Sequence, residues 1–400
     1  MRQINKLPPT SSLSPRQWLQ TNLFSTWYNV ILTIICLVAI IWGSIGFFSW
    51  AFTVAEWEVI GANLPLLMVG RFPPQLYWRV WLSVIIITGL AGITWGFYQG
   101  KTNPWNRALL LIIAATVAAA LLLPLGLNWR LSIVAMIVAA IAGVWAGRNL
   151  LSPKFSSLLP LSWFVGALVI FWLLKGGLGL QPVRAASQWQ GLLLTMVTAV
   201  ISIVLSFPLG VLLALGRQSS LPVVRWLSVF YIEVIRGLPL IVILFFSQVM
   251  LKFFLPPEFP ELDEVTRAIA GLTLFSAAYL AENVRGGLQS IPRGQIEAAS
   301  ALGLSTPLVI LLIVLPQALK AVIPAIVGQF IGLFKDTSLL AVSSSLLELT
   351  GISRTILAQP QFLGDYAEIY LFIGLIYWGF CYGMSLASRR LEKLMNVGED

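Results

Sequence analysis

Few side chains in this sequence are equipped for covalent chemistry. Its 400 residues include no histidine, which removes imidazole acid–base catalysis and imidazole metal sites. Cys36 and Cys381 each lie inside an apolar run, so no disulfide framework is indicated. The nearest approach to a phosphate-binding loop is Gly100-Lys101-Thr102, but Trp95 stands where that motif needs its first glycine. What stands out is charge set in apolar sequence. Glu233 and Arg236 are three residues apart, on one helical face. Ser276, Tyr279 and Glu282 form a polar stripe at helical spacing, and Lys335-Asp336-Thr337-Ser338 interrupts another apolar run. Ionisable groups at membrane depth are costly and are candidates for function. Each also has a plainer reading. Glu233 and Arg236 would pair to fix a broken helix at Gly237-Leu238-Pro239, Glu282 would pair with Arg285 at a helix end, and Asp336 or Thr337 would cap a helix.

The elements that must position these groups are membrane helices. The chain is 58% hydrophobic and 10% charged, against about 45–50% and about 25% in a soluble domain. A water-soluble enzyme cannot hide that much apolar surface. A helix needs about 20 apolar residues to cross the hydrocarbon, and ten candidate spans follow, making an all-α polytopic protein. They are Trp27–Phe52, Val80–Tyr98, Ala108–Gly126, Leu131–Gly147, Leu158–Leu174, Trp189–Leu215, Trp226–Leu251, Ala268–Glu282, Ala321–Phe334 and Tyr366–Ser388. The eighth and ninth are short and interrupted by Gly or Pro, which marks a pathway, because irregular backbone at membrane depth must line a cavity or be buried in protein. Basic residues concentrate in segments of one parity, which places both termini on the cytoplasmic side. That bias accounts for the net charge of +9 without a nucleic-acid partner, since the basic residues never cluster with exposed aromatics. Nine tryptophans near span ends, Trp81, Trp129 and Trp189 among them, read as an interfacial belt. Residues 1–26 read as a cytoplasmic tail, 27–185 as a transmembrane extension of about five spans, 186–390 as the working core and 391–400 as a C-terminal tail. The boundary is drawn where polar and glycine residues break the pattern at about 175–190.

One cytoplasmic loop, residues 290–316, is more than a chain reversal. Ser290 as N-cap and Pro292 in the first turn predict a helix that runs to Leu302 and stops at Gly303. Thr306 and Pro307 predict a second start. A short rigid finger is expected, presenting Glu297.

Here the sequence resembles a known family. Glu297-Ala298-Ala299, then Gly303, Ile313 and Leu315-Pro316 at fixed spacing, is similar to the EAA loop of permease subunits of binding-protein-dependent ATP-driven importers. Glu233 with Arg236-Gly237-Leu238-Pro239, the run Ala277 to Gly287, Lys335-Asp336-Thr337-Ser338-Leu339 and the opening Trp189 to Thr195 resemble motifs of the polar amino-acid branch, with Leu238 replacing its usual threonine. The resemblance covers about residues 187–390 and implies a type I permease core of five helices. The preceding residues are similar to the extension of a longer class of these permeases. It further implies that Glu297, Ala298, Ala299, Gly303, Ile313, Leu315 and Pro316 couple the chain to a separate ATPase pair, which holds the ATP and Mg. This chain would bind no cofactor. A homologous permease subunit, an external or periplasmic solute-binding protein and membrane lipid would be its other partners. The expected location is a bacterial inner membrane. Ser276, Tyr279, Glu282, Asp336, Thr337 and Ser338 are the candidate pathway residues. Two other readings remain: a secondary transporter, which calls for an internal repeat, and a membrane enzyme, which calls for clustered acids or histidines.

Overall fold

A computed structural model describes residues 14–99, 126–151, 158–256, 260–343 and 345–394, with Ala114, Thr116, Val117 and Glu258 besides. The described residues are helices joined by short turns. They form two compact units, Met1–Trp57 and Glu58–Asp400. The division between them falls after Trp57.

In the first unit, α1 (Pro15–Asn22) opens on a capping box: the Gln17 N–H donates to the Ser14 hydroxyl at 3.3 Å, and the Gln17 side chain accepts from the Ser14 N–H at 3.2 Å. Part of the expected tail is therefore helical, because Ser14 and Pro15 supply a cap and a first turn. Helix α2 (Trp27–Thr53) is apolar and none of its residues is buried, as suits a helix in contact with lipid.

The second unit begins with α3 (Glu58–Val69), α4 (Tyr77–Gln99), α5 (Leu127–Asn149), α6 (Leu158–Lys175) and the single turn α7 (Ala185–Gln188). Helices α4 and α5 touch backbone to backbone. A Cβ on Gly143 would lie 2.4 Å from the Gly89 carbonyl oxygen, and one on Gly147 would lie 2.1 Å from that of Ile93. Without a hydrophobic drive between helices in lipid, such close approach is what holds them. Gly147→Ala should therefore lower stability by about 1–3 kcal/mol through overpacking, read as a drop in the unfolding temperature in detergent. Gly89→Ala, where an added Cβ meets nothing, should leave that temperature unchanged.

The polar stretch after α6 is a tight turn. Gly176, Gly177 and Gly179 take left-handed backbone, and the Val183 N–H donates to the Lys175 carbonyl at 2.8 Å. Arg79 of α4, only 2% exposed, donates to the Gln181 carbonyl at 2.7 Å and pins that turn. Trp189 lies just beyond. It is 2% exposed and edge-on to Phe171, so it belongs to the core and not to an interfacial belt.

The remaining helices are α8 (Gly191–Arg217), α9 (Pro222–Gly237), α10 (Leu240–Phe245), α11 (Glu264–Ser290), α12 (Arg293–Ala301), α13 (Thr306–Val309), α14 (Leu315–Asp336), α15 (Leu340–Ser343), α16 (Leu349–Leu357) and α17 (Tyr366–Leu394). Short α3 is built into this set. Val59, Ile60 and Leu67 share one buried cluster with Leu349, Ile352 and Ile356 of α16 and Ile369 and Ile373 of α17. Helix α3, from the expected extension, thus packs against helices of the expected core.

Among the described residues, seven helical stretches are long and apolar enough to cross a membrane, or eight if one bent pair counts as a span. The count of ten is not confirmed. Candidate Ala108–Gly126 lies almost wholly outside the described residues. Candidate Trp226–Leu251 is bent by 107° between α9 and α10, at the Gly237-Leu238-Pro239 break. Candidate Ala268–Glu282 lies within α11 and is not among the seven. Candidate Ala321–Phe334 is part of a continuous stretch, Thr306–Ser343. Gly328, Gly332 and Pro324 are carried inside α14 and do not end it.

Candidate coupling and pathway sites

The finger exists, and its ends are set by local chemistry. Ser290 does not cap it: α11 runs through Ser290, whose hydroxyl donates to the Gly287 carbonyl at 2.8 Å. Pro292 takes the N-cap position of α12. At the other end the Gly303 N–H donates to the Ser300 carbonyl at 2.9 Å and the Leu304 N–H to the Ala299 carbonyl at 3.3 Å. That pair of bonds is a Schellman motif, which needs a left-handed residue, and Gly303 has φ +81°. Thr306 proves to be the first helical residue of α13, with Ser305 as its N-cap.

Ala299 is buried in one cluster with Val284, Leu288, Val309 and Val314, and so anchors the finger to the bundle. Its other face is open: Glu297 and Ala298 are exposed, and Leu302 is 84% exposed. Ile313 and Leu315 are half-buried against the same cluster. Between α13 and α14 the backbone widens into a π-turn, Ile310–Val314, and Pro316 sits in the first turn of α14 directly after it. Pro316 therefore lies at the junction of the two.

Gly287, in the last turn of α11, lets α14 approach. A Cβ there would lie 2.6 Å from the Ala318 carbonyl oxygen and 2.8 Å from Val322. Gly287→Val should displace the root of the finger and cost about 1–3 kcal/mol, seen as faster proteolytic cutting between residues 290 and 306 in the purified protein.

The charged residues meet on three helices. The Glu282 carboxylate accepts from Arg217 at 2.8 Å and from Arg285 at 2.9 and 3.0 Å, and lies 3.5 Å from Arg236. Arg217 also donates to Glu233 at 2.9 Å. The expected Glu233–Arg236 pair is thus replaced: each finds its partner across a helix boundary, because Arg217 reaches between them. Arg236 also lies over the Tyr279 ring, 5.6 Å from its centroid. Arg217 was not legible as a site residue, since its partners are 16 and 65 positions away.

The six candidate pathway residues are not brought together. Tyr279 and Glu282 belong to the charge cluster. Gly287 of α11 lies against Ala318 of α14, while Glu264 at the start of α11 accepts from Ser345, beyond α14. The two helices are therefore antiparallel. At about 1.5 Å per residue, Asp336, Thr337 and Ser338 lie roughly 20 Å from Glu282 along the bundle. Ser276 and Thr337 are fully buried. Thr337 donates to the Phe334 carbonyl at 2.7 Å, whereas the Ser276 hydroxyl has no partner. Asp336 and Ser338 remain half-exposed where α14 tightens into a 3-10 turn.

A further acid escaped sequence reading. Glu348 is fully buried and caps α16, accepting from the Thr350 N–H at 2.7 Å, the Gly351 N–H at 2.8 Å and the Tyr377 hydroxyl at 3.3 Å. Burial pushes its carboxyl up to about 7, against the opposing pull of those donors. Glu348→Ala should cost about 1–3 kcal/mol, from the lost cap and two stranded amides, measurable by thermal unfolding.

The bundle is long and apolar enough to span a membrane, and it carries an exposed finger rooted by buried Ala299 and closed by left-handed Gly303. The comparisons agree. The family model described as the binding-protein-dependent transport system inner membrane component matches residues 206–397. The inner membrane amino-acid ABC transporter permease protein YhdY of Escherichia coli (strain K12) is 37% identical, over 98% of this chain and 96% of its own. The glutamate/glutamine/aspartate/asparagine transport system permease protein BztC of Rhodobacter capsulatus is 36% identical, over 96% and 94%. The probable glutamine ABC transporter permease protein GlnP of Bacillus subtilis (strain 168) is 44% identical, over 52% of this chain and 93% of its own. A crystal structure of an amino acid ABC transporter with histidines covers 50% of this chain and 92% of its own, at 28% identity and a TM-score of 0.44. The chain belongs to the family of ABC-transporter permease subunits, as a multi-pass protein of the inner membrane.

Proposed function

We propose that this permease imports polar amino acids by alternating access, driven by a separate pair of ATP-binding subunits. The observation that carries the reading is the finger. Glu297 and Ala298 stand exposed on α12, with Ala299 holding its base. ATP and Mg belong to the partner ATPase, which grips this finger. An external solute-binding protein delivers the substrate, and a homologous permease subunit supplies the other half of the pathway. Both termini are cytoplasmic. The substrate class rests on the amino-acid permeases that match nearly the whole chain.

Within the pathway, the Glu282 cluster forms the inner end and Asp336 to Ser338 the outer end. The cluster carries three guanidinium groups against two carboxylates, an excess of one positive charge that suits a substrate bearing a carboxylate. The test is uptake of radiolabelled glutamate, glutamine, aspartate and asparagine into proteoliposomes holding the chain with its partner subunits. Uptake that needs both ATP and the binding protein is expected. Uptake driven by an ion gradient without ATP would overturn the reading in favour of a secondary transporter.

A further inference from the structure

Where α3, α4, α5 and α8 meet the middle of α17, a crevice of about 500 Å³ opens. Its walls include Leu64, Met68, Trp129, Leu192, Phe372 and Gly379, and every lining side chain is apolar or aromatic. The volume is that of a small-ligand pocket. An amino acid is a poor occupant, because its charged ends would be desolvated without partners. A hydrocarbon chain meets no such cost. Gly379 leaves the floor open, since a Cβ built on it meets nothing within 4 Å.

Trp81 and Trp129 meet edge to face at 5.5 Å, an arrangement suited to the boundary between hydrocarbon and headgroups. Exposed Arg130 follows Trp129, and exposed Arg71 lies just beyond the end of α3, which carries Met68. Two exposed cations, one adjacent in sequence to Trp129 and one three residues after Met68, together with a wholly apolar slot, suit a molecule with an anionic head and a long tail. We propose that this crevice seats one acyl chain of an anionic phospholipid, with its phosphate against Arg71 and Arg130. The lipid would fill the seam between the helices before residue 186 and the last helix of the core.

The experiment uses the assembled complex in vesicles containing phosphatidylglycerol with a diazirine in one acyl chain. After irradiation, bound lipid is counted by intact-mass spectrometry and mapped by peptide. One cross-linked lipid per chain is expected, on α5 or α17. Gly379→Trp should lower that yield by about tenfold. Arg71→Gln with Arg130→Gln should lower it severalfold without moving the cross-link. If Gly379→Trp fails to assemble, the double arginine variant carries the test alone. Labelling spread over the exposed helix faces, or a yield unchanged in either variant, would overturn the proposal. So would a photoreactive amino acid at position 379 that cross-links to protein, of this chain or a partner, instead of lipid.

Discussion

A Gly303→Val chain should insert and assemble with its partners yet lose most of its transport. The structure locates the cost. Gly303 has φ +81°, so the strain lies in the backbone, while an added Cβ meets nothing within 4 Å. No core contact is lost and the helices should pack as before. A left-handed backbone costs an ordinary L-residue about 1–2 kcal/mol, and more for a β-branched one. The Schellman bonds from Gly303 and Leu304 would then compete with relaxation of the turn, and α12 would swing on its Ala299 anchor. A penalty of that size shifts a two-state balance by about 5–30-fold. Uptake should fall by about that factor while ATP hydrolysis persists, with unchanged amounts of assembled complex by size-exclusion chromatography. Gly303→Asn should retain more activity than Gly303→Val, because asparagine tolerates the left-handed region. Normal uptake by the valine chain would remove the finger from the mechanism.

Glu282→Gln should have the larger effect on the bundle itself. The substitution leaves Arg236 and Arg285 without their acid, and Arg217 with Glu233 alone. Stranding a buried charge costs about 3–5 kcal/mol. Here the arginine side chains are a quarter to a third exposed, so solvent screening reduces that to about 1–2 kcal/mol. Double-mutant cycles separate the contributions. Coupling of Glu282 to Arg285 at 2.9 Å should exceed its coupling to Arg236 at 3.5 Å. Coupling between Glu233 and Arg236 should be close to zero. A strong Glu233–Arg236 coupling would mean that the cluster is not organised around Glu282.

Much of this was legible in the chain. The composition required a membrane bundle, and the spacing from Glu297 to Pro316 located the finger and its glycine stop. What escaped depends on partners distant in sequence. Arg217 looks like any cation ending an apolar helix until α9 and α11 are folded against it. Glu348 gives no periodic signal, because it is a cap that meets Tyr377, far away in sequence. The continuity of Thr306–Ser343 was hidden because glycine and proline read as breaks, yet Pro324, Gly328 and Gly332 all lie inside α14. The role of α3 was hidden for the opposite reason. Its twelve residues are too short to register as a span, and only its buried side chains tie it to α16 and α17.

The most direct test of the central claim is a cross-link from position 297 to the ATPase. Glu297→Cys, in a chain with Cys36 and Cys381 replaced by serine, is assembled with its partners and treated with a short bifunctional thiol reagent. A cross-link to the ATP-binding subunit is expected, with a yield that changes when nucleotide is added. The account is contradicted if position 297 reacts with a membrane-impermeant thiol reagent from outside the cell, or if no cross-link to a nucleotide-hydrolysing subunit forms in a transport-competent complex.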